Sequence, residues 1–339
     1  MSTVKAQDPR KGLVILAFLT VYVLWGSTYL AIHYAVQTIP PLLMAGSRYV
    51  IAGTVLYTWA RLRGDGRPKL SHWVATAIIG ALLLLGGNGL LVWAEQTVPS
   101  GLAALLVATE PLWIVILDWV TPGGRRPNIP IVIGLILGFS GVVLLVGHDR
   151  IIGGTQLPML GIAACLGGAF SWAAGSVYGQ RASLPAKPVL ISGMQMLCGG
   201  VLMCVTGLSV GEGSRLHFDS IKMVSVLGWL YLIVFGAIIG FTAYTFLVRV
   251  ATPARVSTNA YVNPVVAVIL GWSIASEPLT LRMIGAMVII LASVVLITTQ
   301  PGRGRKSREI QLDESQTMPQ SITASSKRFA ATNGSEAAD

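Results

Sequence analysis

Ten apolar stretches follow one another along the chain, each close to the roughly 20 residues that carry an α-helix across a bilayer core. They cover roughly 12–34, 40–61, 72–95, 99–120, 129–147, 157–179, 188–209, 223–248, 253–274 and 279–299. In hydrocarbon, each backbone N–H and C=O must find its partner within the protein, and segments of this length do so as helices. Charge points the same way. Of the 38 charged residues, 11 lie after Thr299 and four before Gly12, leaving 23 for the 288 residues between. That is about a third of the density in a soluble chain. It is too little to coat a globular surface. A soluble enzyme, a disordered chain and a disulfide-rich secreted domain are excluded. The expected fold class is an all-α integral membrane protein with ten transmembrane helices. The first stretch is long enough to span rather than act as a cleaved signal.

The breaks between stretches fall on turn residues: Pro40-Pro41, Gly64-Asp65-Gly66, Pro122-Gly123-Gly124, Gly153-Gly154 and Gly211-Glu212-Gly213. With the N-terminus placed in the cytoplasm, 17 lysines and arginines fall on that side and four on the other. This asymmetry predicts both termini inside. It also accounts for the formal charge of +10, so no nucleic-acid partner is expected. The lipid bilayer and a small-molecule solute are. Cys165, Cys198 and Cys204 sit in apolar segments without metal-ligand spacing and read as small core residues. No phosphate-binding glycine loop is present. No cofactor and no metal are expected.

Residues 12–147 and 157–299 match each other weakly but in order, at separations between about 147 and 154 residues. Ser27 and Tyr29 fall on Ser176 and Tyr178. Pro41, Gly46, Arg48 and Gly53 fall on Pro188, Gly193, Gln195 and Gly200. Glu95 and Pro99 meet Arg249 and Pro253, and Pro111 meets Pro264. Five helices per half is an odd number, so the second half must enter the membrane from the opposite face. Such inverted repeats let one half rock against the other around a midplane site, which predicts a secondary transporter. Residues 1–11 then form a cytoplasmic N-terminus and 300–339, rich in Ser, Thr, Gln and charge, a disordered cytoplasmic tail.

The runs Trp25-Gly26-Ser27-Thr28-Tyr29, Ala45-Gly46-Ser47-Arg48-Tyr49, Gly87-Asn88-Gly89, Val98-Pro99-Ser100-Gly101 and Ala260-Tyr261-Val262-Asn263-Pro264 resemble the EamA-like family of the drug/metabolite transporter superfamily. The resemblance covers residues 12–299. It implies two inverted five-helix repeats, a central cavity, and export of amino acids, other metabolites or toxic compounds across the bacterial cytoplasmic membrane. The family often carries an acidic residue between the last two helices of each half. Glu277 fits in the second half, while the first offers Arg125-Arg126. Glu277 therefore reads as a helix-junction cap.

Arg48 and Glu110 stand out inside apolar helices, where a charge costs about 2.5–3.5 kcal/mol and turns inward to a partner. Three readings stay open: a structural ion pair between helices, a substrate or proton site, or charges that never meet. Coupling to protons is open with them. Asn88, Asn259 and Asn263 are amides in apolar helices, and Asn263 and Glu110 each precede a proline that loosens its helix. Gln195 stands where the second half repeats Arg48. Trp25 and Trp172 occupy equivalent helices, with Tyr29 and Tyr178 nearby; packing competes with ligand contact at each. Together these ten residues are the expected solute site.

Two alternatives remain. One is a translocator of lipid or sugar conjugates with the same architecture. The other is an intramembrane enzyme, since Gly138-Phe139-Ser140-Gly141 resembles a serine-protease motif. Such a serine needs a histidine base, and His33, His72, His148 and His217 fall at helix ends or in loops.

Overall fold

A computed structural model describes residues 11–122, 126–152, 158–185, 187–251 and 258–299. The turns at 123–124 and 153–154, Arg125, Pro253, the first ten residues and the 300–339 tail lie outside the described residues. Regular structure among the described residues is helical. Its long elements are α1 (Lys11–Ala35), α2 (Pro41–Leu62), α3 (Leu70–Ala94), α4 (Ser100–Val120), α5 (Ile129–Ile152), α6 (Met159–Arg181) and α7 (Pro188–Ser209). After them come α8, opening with Met223–Tyr231 and closing with Gly240–Val250, α9 (Asn259–Ile274) and α10 (Leu281–Thr298). Eight of these are long and apolar enough to cross a membrane. The other two are α2, whose Arg48 and Arg61 lower its hydropathy, and α9, which has 16 residues. The outer surface carries Leu13, Leu16, Val143, Leu160, Leu208 and Leu230 in exposed positions. A surface this apolar is stable against lipid, not water.

The helix starts follow from the sequence. Pro41 and Pro188 open α2 and α7, where a missing N–H costs nothing. The Asn128 Oδ1 accepts from the Ile131 amide ahead of α5, and the Thr280 hydroxyl accepts from the Met283 amide ahead of α10, each at 3.1 Å. Proline acts differently in the two halves. The segment before Pro111 leaves the helix at Ala108–Thr109 and divides α4 into Ser100–Val107 and Glu110–Val120. Pro264 lies inside an unbroken α9.

Small residues set the closest helix pairs. A Cβ built on Gly46 of α2 would stand 2.6 Å from the Cys204 Sγ of α7, and one on Gly53 2.7 Å from the Leu197 amide. These two helices pack backbone to backbone. On α5, a Cβ at Gly134 would stand 2.7 Å from Ile297 of α10.

Two helices change winding midway. Ala81–Gly89 in α3 and Leu232–Ile239 in α8 are π-helical, a geometry that is rare and recurs at functional sites. They begin 151 residues apart and end 150 apart, within the spacing of the sequence repeat. Each receives a side-chain donor from the opening helix of the other half. The Ser171 Oγ of α6 donates to the Leu82 carbonyl at 2.8 Å, and the Trp25 Nε1 of α1 donates to the Gly236 carbonyl at 3.2 Å. Glycine permits both approaches: a Cβ at Gly87 would stand 2.9 Å from the Trp172 ring, and one at Gly240 2.5 Å from the Trp25 Nε1. The halves therefore interlock through their first and third helices.

Candidate functional site

Arg48 is 4% exposed in the middle of α2. Its Nη2 donates to the Asn88 Oδ1 at 2.6 Å and to the Tyr49 hydroxyl at 3.0 Å, and its guanidinium lies 4.5 Å from the Tyr49 ring centroid. The π-segment of α3 is what supplies Asn88. Amide dipole and ring face hold the cation but leave its charge uncompensated. The Nε is buried without a partner. Among the described residues, no ion pair joins Arg48 to Glu110, whereas Arg181 pairs with Asp118 and Lys187 with Asp65 near helix ends.

Four carboxylates occupy the interior in different ways. Glu110, half-buried at the start of the second piece of α4, makes no hydrogen bond among the described residues. It lies within electrostatic reach of Tyr29 on α1 and Tyr244 on α8. Glu95 is 2% exposed and follows Ala94, the last residue of α3; neither carboxylate oxygen has a hydrogen-bond partner. Glu277 is fully engaged: its Oε1 accepts from the Ser100 amide at 2.7 Å and its Oε2 from the Gly101 amide at 2.9 Å. It caps α4, in keeping with the helix-junction cap read from the sequence. Glu212 does the same for α2, accepting from the Leu42 and Leu43 amides at 3.1 and 2.9 Å. Sequence reasoning treated Glu95 as a repeat match and Glu212 as a turn residue, named Tyr49 only within a family motif, and did not name Tyr244. Acidic residues at the ends of apolar helices were the available signal.

The aromatic expectations divide. The Trp25 ring centroid lies 5.0 Å from that of Tyr244 and 5.7 Å from that of Phe241. Tyr29 is half-buried against the main core and within electrostatic reach of both Glu95 and Glu110. Trp25, Phe241 and Tyr244 join α1 and α8. Trp172 packs instead on Gly87 of α3, and Tyr178 is 37% exposed. Of the amides, Asn88 binds Arg48, and Asn263 buries its Oδ1 without a partner. Asn259 is half-buried at the first position of α9. Gln195 is half-buried on α7, with its carbonyl against Gly80 of α3. The structure thus brings Arg48 and Asn88 together and sets Trp25 against Tyr244, with Glu110 within electrostatic reach of Tyr29 and Tyr244. It sets Gln195 and Trp172 at the α3 packing surface.

The Ser140 Oγ donates to the Leu137 carbonyl at 2.8 Å, and a Cβ at Gly138 would stand 2.7 Å from the Ser293 Oγ of α10. That motif packs two helices together. Among the described residues, no group of three or more His, Cys, Asp or Glu could hold a metal ion.

The sequence model of the EamA-like transporter family matches residues 12–147 and 159–299. The chain is 38% identical over 283 residues to the uncharacterized inner membrane transporter YedA of Escherichia coli K12, covering 83% of this chain and 89% of that protein. It is 26% identical over 295 residues to the probable amino-acid metabolite efflux pump of the same strain, covering 81% and 91%. A protein of known crystal structure superposes with a TM-score of 0.56 at 21% identity, covering 85% of this chain and 96% of that one. The fold is shared.

Proposed function

The chain belongs to the EamA-like transporter family, and on that premise we propose that it exports small organic solutes by alternating access between two inverted five-helix halves. In this reading α2 and α9 also span, which makes ten crossings of the cytoplasmic membrane with both termini inside. Residues 12–147 and 157–299 are the two repeats, and the doubled family match supports that division. The paired π-segments support it too, because they recur at the repeat spacing.

One observation carries the solute site. The interior holds charged and amide groups whose bonding capacity is not used up: the Arg48 Nε and the Asn263 Oδ1 are buried without partners, and Glu110 makes no hydrogen bond. Unpaired polar groups in a membrane bundle are costly and mark solute pathways. A cation on α2 and an anion on α4 that do not neutralise each other suit a zwitterion. Its carboxylate would face Arg48 and its ammonium Glu110, with Trp25, Tyr29 and Tyr244 as apolar walls. Amino acids and their analogues are the solute class with that chemistry, and a relative named as an amino-acid metabolite efflux pump supports it.

The test is flux from proteoliposomes loaded with amino acids, analogues and drugs, without ATP. Saturable efflux of a zwitterion is expected. Efflux of uncharged or purely cationic solutes alone would overturn the zwitterion site, and no flux from a broad panel would overturn the transport reading.

A further inference from the structure

A groove of about 380 Å³ opens between α3 and α7, lined by Trp73, Ala77, Leu197, Cys198, Val201 and Leu202. It exists because the two helices touch at one level and part at another. At the contact, a Cβ on Gly80 would stand 2.8 Å from the Gln195 carbonyl oxygen and 2.8 Å from the Gly199 amide nitrogen. One turn nearer the start of α3, the small side chain of Ala77 leaves the gap unfilled. Trp73, a turn earlier still, turns to Tyr57 of α2, with ring centroids 5.6 Å apart. The lining residues are half-buried except Val201, which is 50% exposed, so the groove faces outward to the bilayer. Apolar side chains and a thiol give a water too few partners to hold it there. An empty groove would forfeit dispersion contacts along both walls. A methylene takes up close to the roughly 30 Å³ of a water, so a run of about a dozen chain carbons fills the space.

The end of the groove nearest the helix starts is cationic. Lys69 precedes Trp73 by one helical turn and Lys187 precedes Cys198 by three, so each lysine heads the lining face of its helix. Both are exposed, as is Arg67. Asp65 opposes them, its Oδ1 lying 4.0 Å from the Lys187 Nζ. That contact also sets the start of α7 beside the turn that leads into α3. Three cations against one carboxylate leave the mouth positive. We propose that this groove binds an anionic phospholipid, with one acyl chain between α3 and α7 and the phosphate on Lys69 and Lys187. The apolar floor selects a chain, and basic groups at the mouth select an anionic headgroup. A second copy of the protein suits the groove poorly. Paired about a twofold axis along the membrane normal, it would bring its own Lys69, Arg67 and Lys187 against these. α3 and α7 belong to the two separate family matches, so the lipid spans the seam between them. The site requires only that both helices lie in the membrane, and it stands apart from the transport reading.

Native mass spectrometry of the full-length protein, released from nanodiscs holding equal phosphatidylglycerol and phosphatidylcholine with matched chains, tests the site. The wild type should retain phosphatidylglycerol over phosphatidylcholine by about tenfold or more, since each lysine at an anionic headgroup contributes about fivefold in affinity. Lys69→Gln combined with Lys187→Gln should abolish that preference. Ala77→Phe fills the groove from its floor and should lower retention of both lipids severalfold. Equal retention of the two lipids by the wild type, or an unchanged preference in the double lysine variant, overturns the headgroup site. Unchanged retention in Ala77→Phe overturns the groove. A lipid-free wild-type dimer that Ala77→Phe converts to monomer assigns the groove to a second copy and overturns the lipid. Melting temperatures guard against misfolding: in phosphatidylcholine nanodiscs the variants should match the wild type, and phosphatidylglycerol should raise only the wild type. Should Ala77→Phe melt low in phosphatidylcholine, Val201→Trp fills the same groove from its exposed rim, and the same outcomes decide.

Discussion

The Trp25 Nε1 donates to the Gly236 carbonyl at 3.2 Å, which ties the opening helix of the first half into the π-helical stretch of α8. Side-chain donors that fill the carbonyls of an irregular stretch are what keep such a stretch in a membrane. Ser171 does the same for α3 at the Leu82 carbonyl. Each irregular segment is thus held by a side chain from a helix more than 80 residues away in the chain.

Trp25→Phe keeps the ring and removes the donor. A buried carbonyl left short of one bond costs about 1 kcal/mol, so the variant should melt slightly lower in detergent. Because the bond joins the halves, solute flux should fall by more than that loss of stability alone accounts for. A variant that melts and transports like the wild type would show the bond to be idle.

The two cross-half carboxylate caps should behave alike. Glu277→Gln and Glu212→Gln each weaken two charge-assisted bonds to helix N-termini, with an expected loss of about 1–3 kcal/mol apiece. Thermal melts of the two variants check this. The caps hold different helices, α4 and α2, so the double variant should lose the sum.

Much of the helical layout was legible because lipid forces one conformation on any long apolar stretch. The expected 188–209 is the observed α7, and most other stretches end within a few residues of a helix. The two π-segments recur at the spacing that the sequence comparison of residues 12–147 with 157–299 gave. Side-chain partners were not legible. Arg48 and Glu110 both stand out in apolar helices, yet that says nothing about which way a side chain turns around the helix axis. Arg48 turns to Asn88, which the π-winding of α3 presents, and that winding has no one-residue signature. Glu95 was hidden for another reason. An acid at a helix end reads as solvated, and only tertiary packing reveals that 2% of it is exposed.

Because Arg48 and Glu110 do not pair, their variants should separate in a way that an ion pair forbids. Glu110→Gln breaks no hydrogen bond, so its stability should stay within about 0.5 kcal/mol of the wild type while flux of a zwitterion falls at least about tenfold. Arg48→Gln forfeits the Asn88 and Tyr49 contacts and should lose both stability and flux. Equal destabilisation by the two single variants, relieved in the double variant, would restore the structural ion pair.

The pH dependence of stability isolates Glu95. Burial first, and the Glu277 carboxylate second, push its carboxyl well above the usual carboxylate range, with Arg48 pulling the other way. For a group raised on folding, the native protein binds the proton more tightly than the unfolded chain. Stability is then fully present below the unfolded value, ~4.3 for a glutamate, and is lost as pH rises through the folded one. Glu95→Gln carries no such proton. Its melting temperature should match the wild type near pH 4 to 5 and exceed it increasingly toward about pH 8, since only the wild type must then bury an anion. In a Glu277→Gln background the same comparison should widen less with pH, because the repelling neighbour is gone while the burial remains. Parallel curves for wild type and Glu95→Gln across the range would mean that Glu95 ionises in the folded protein as freely as in the unfolded chain, and that the buried acid carries no proton of its own.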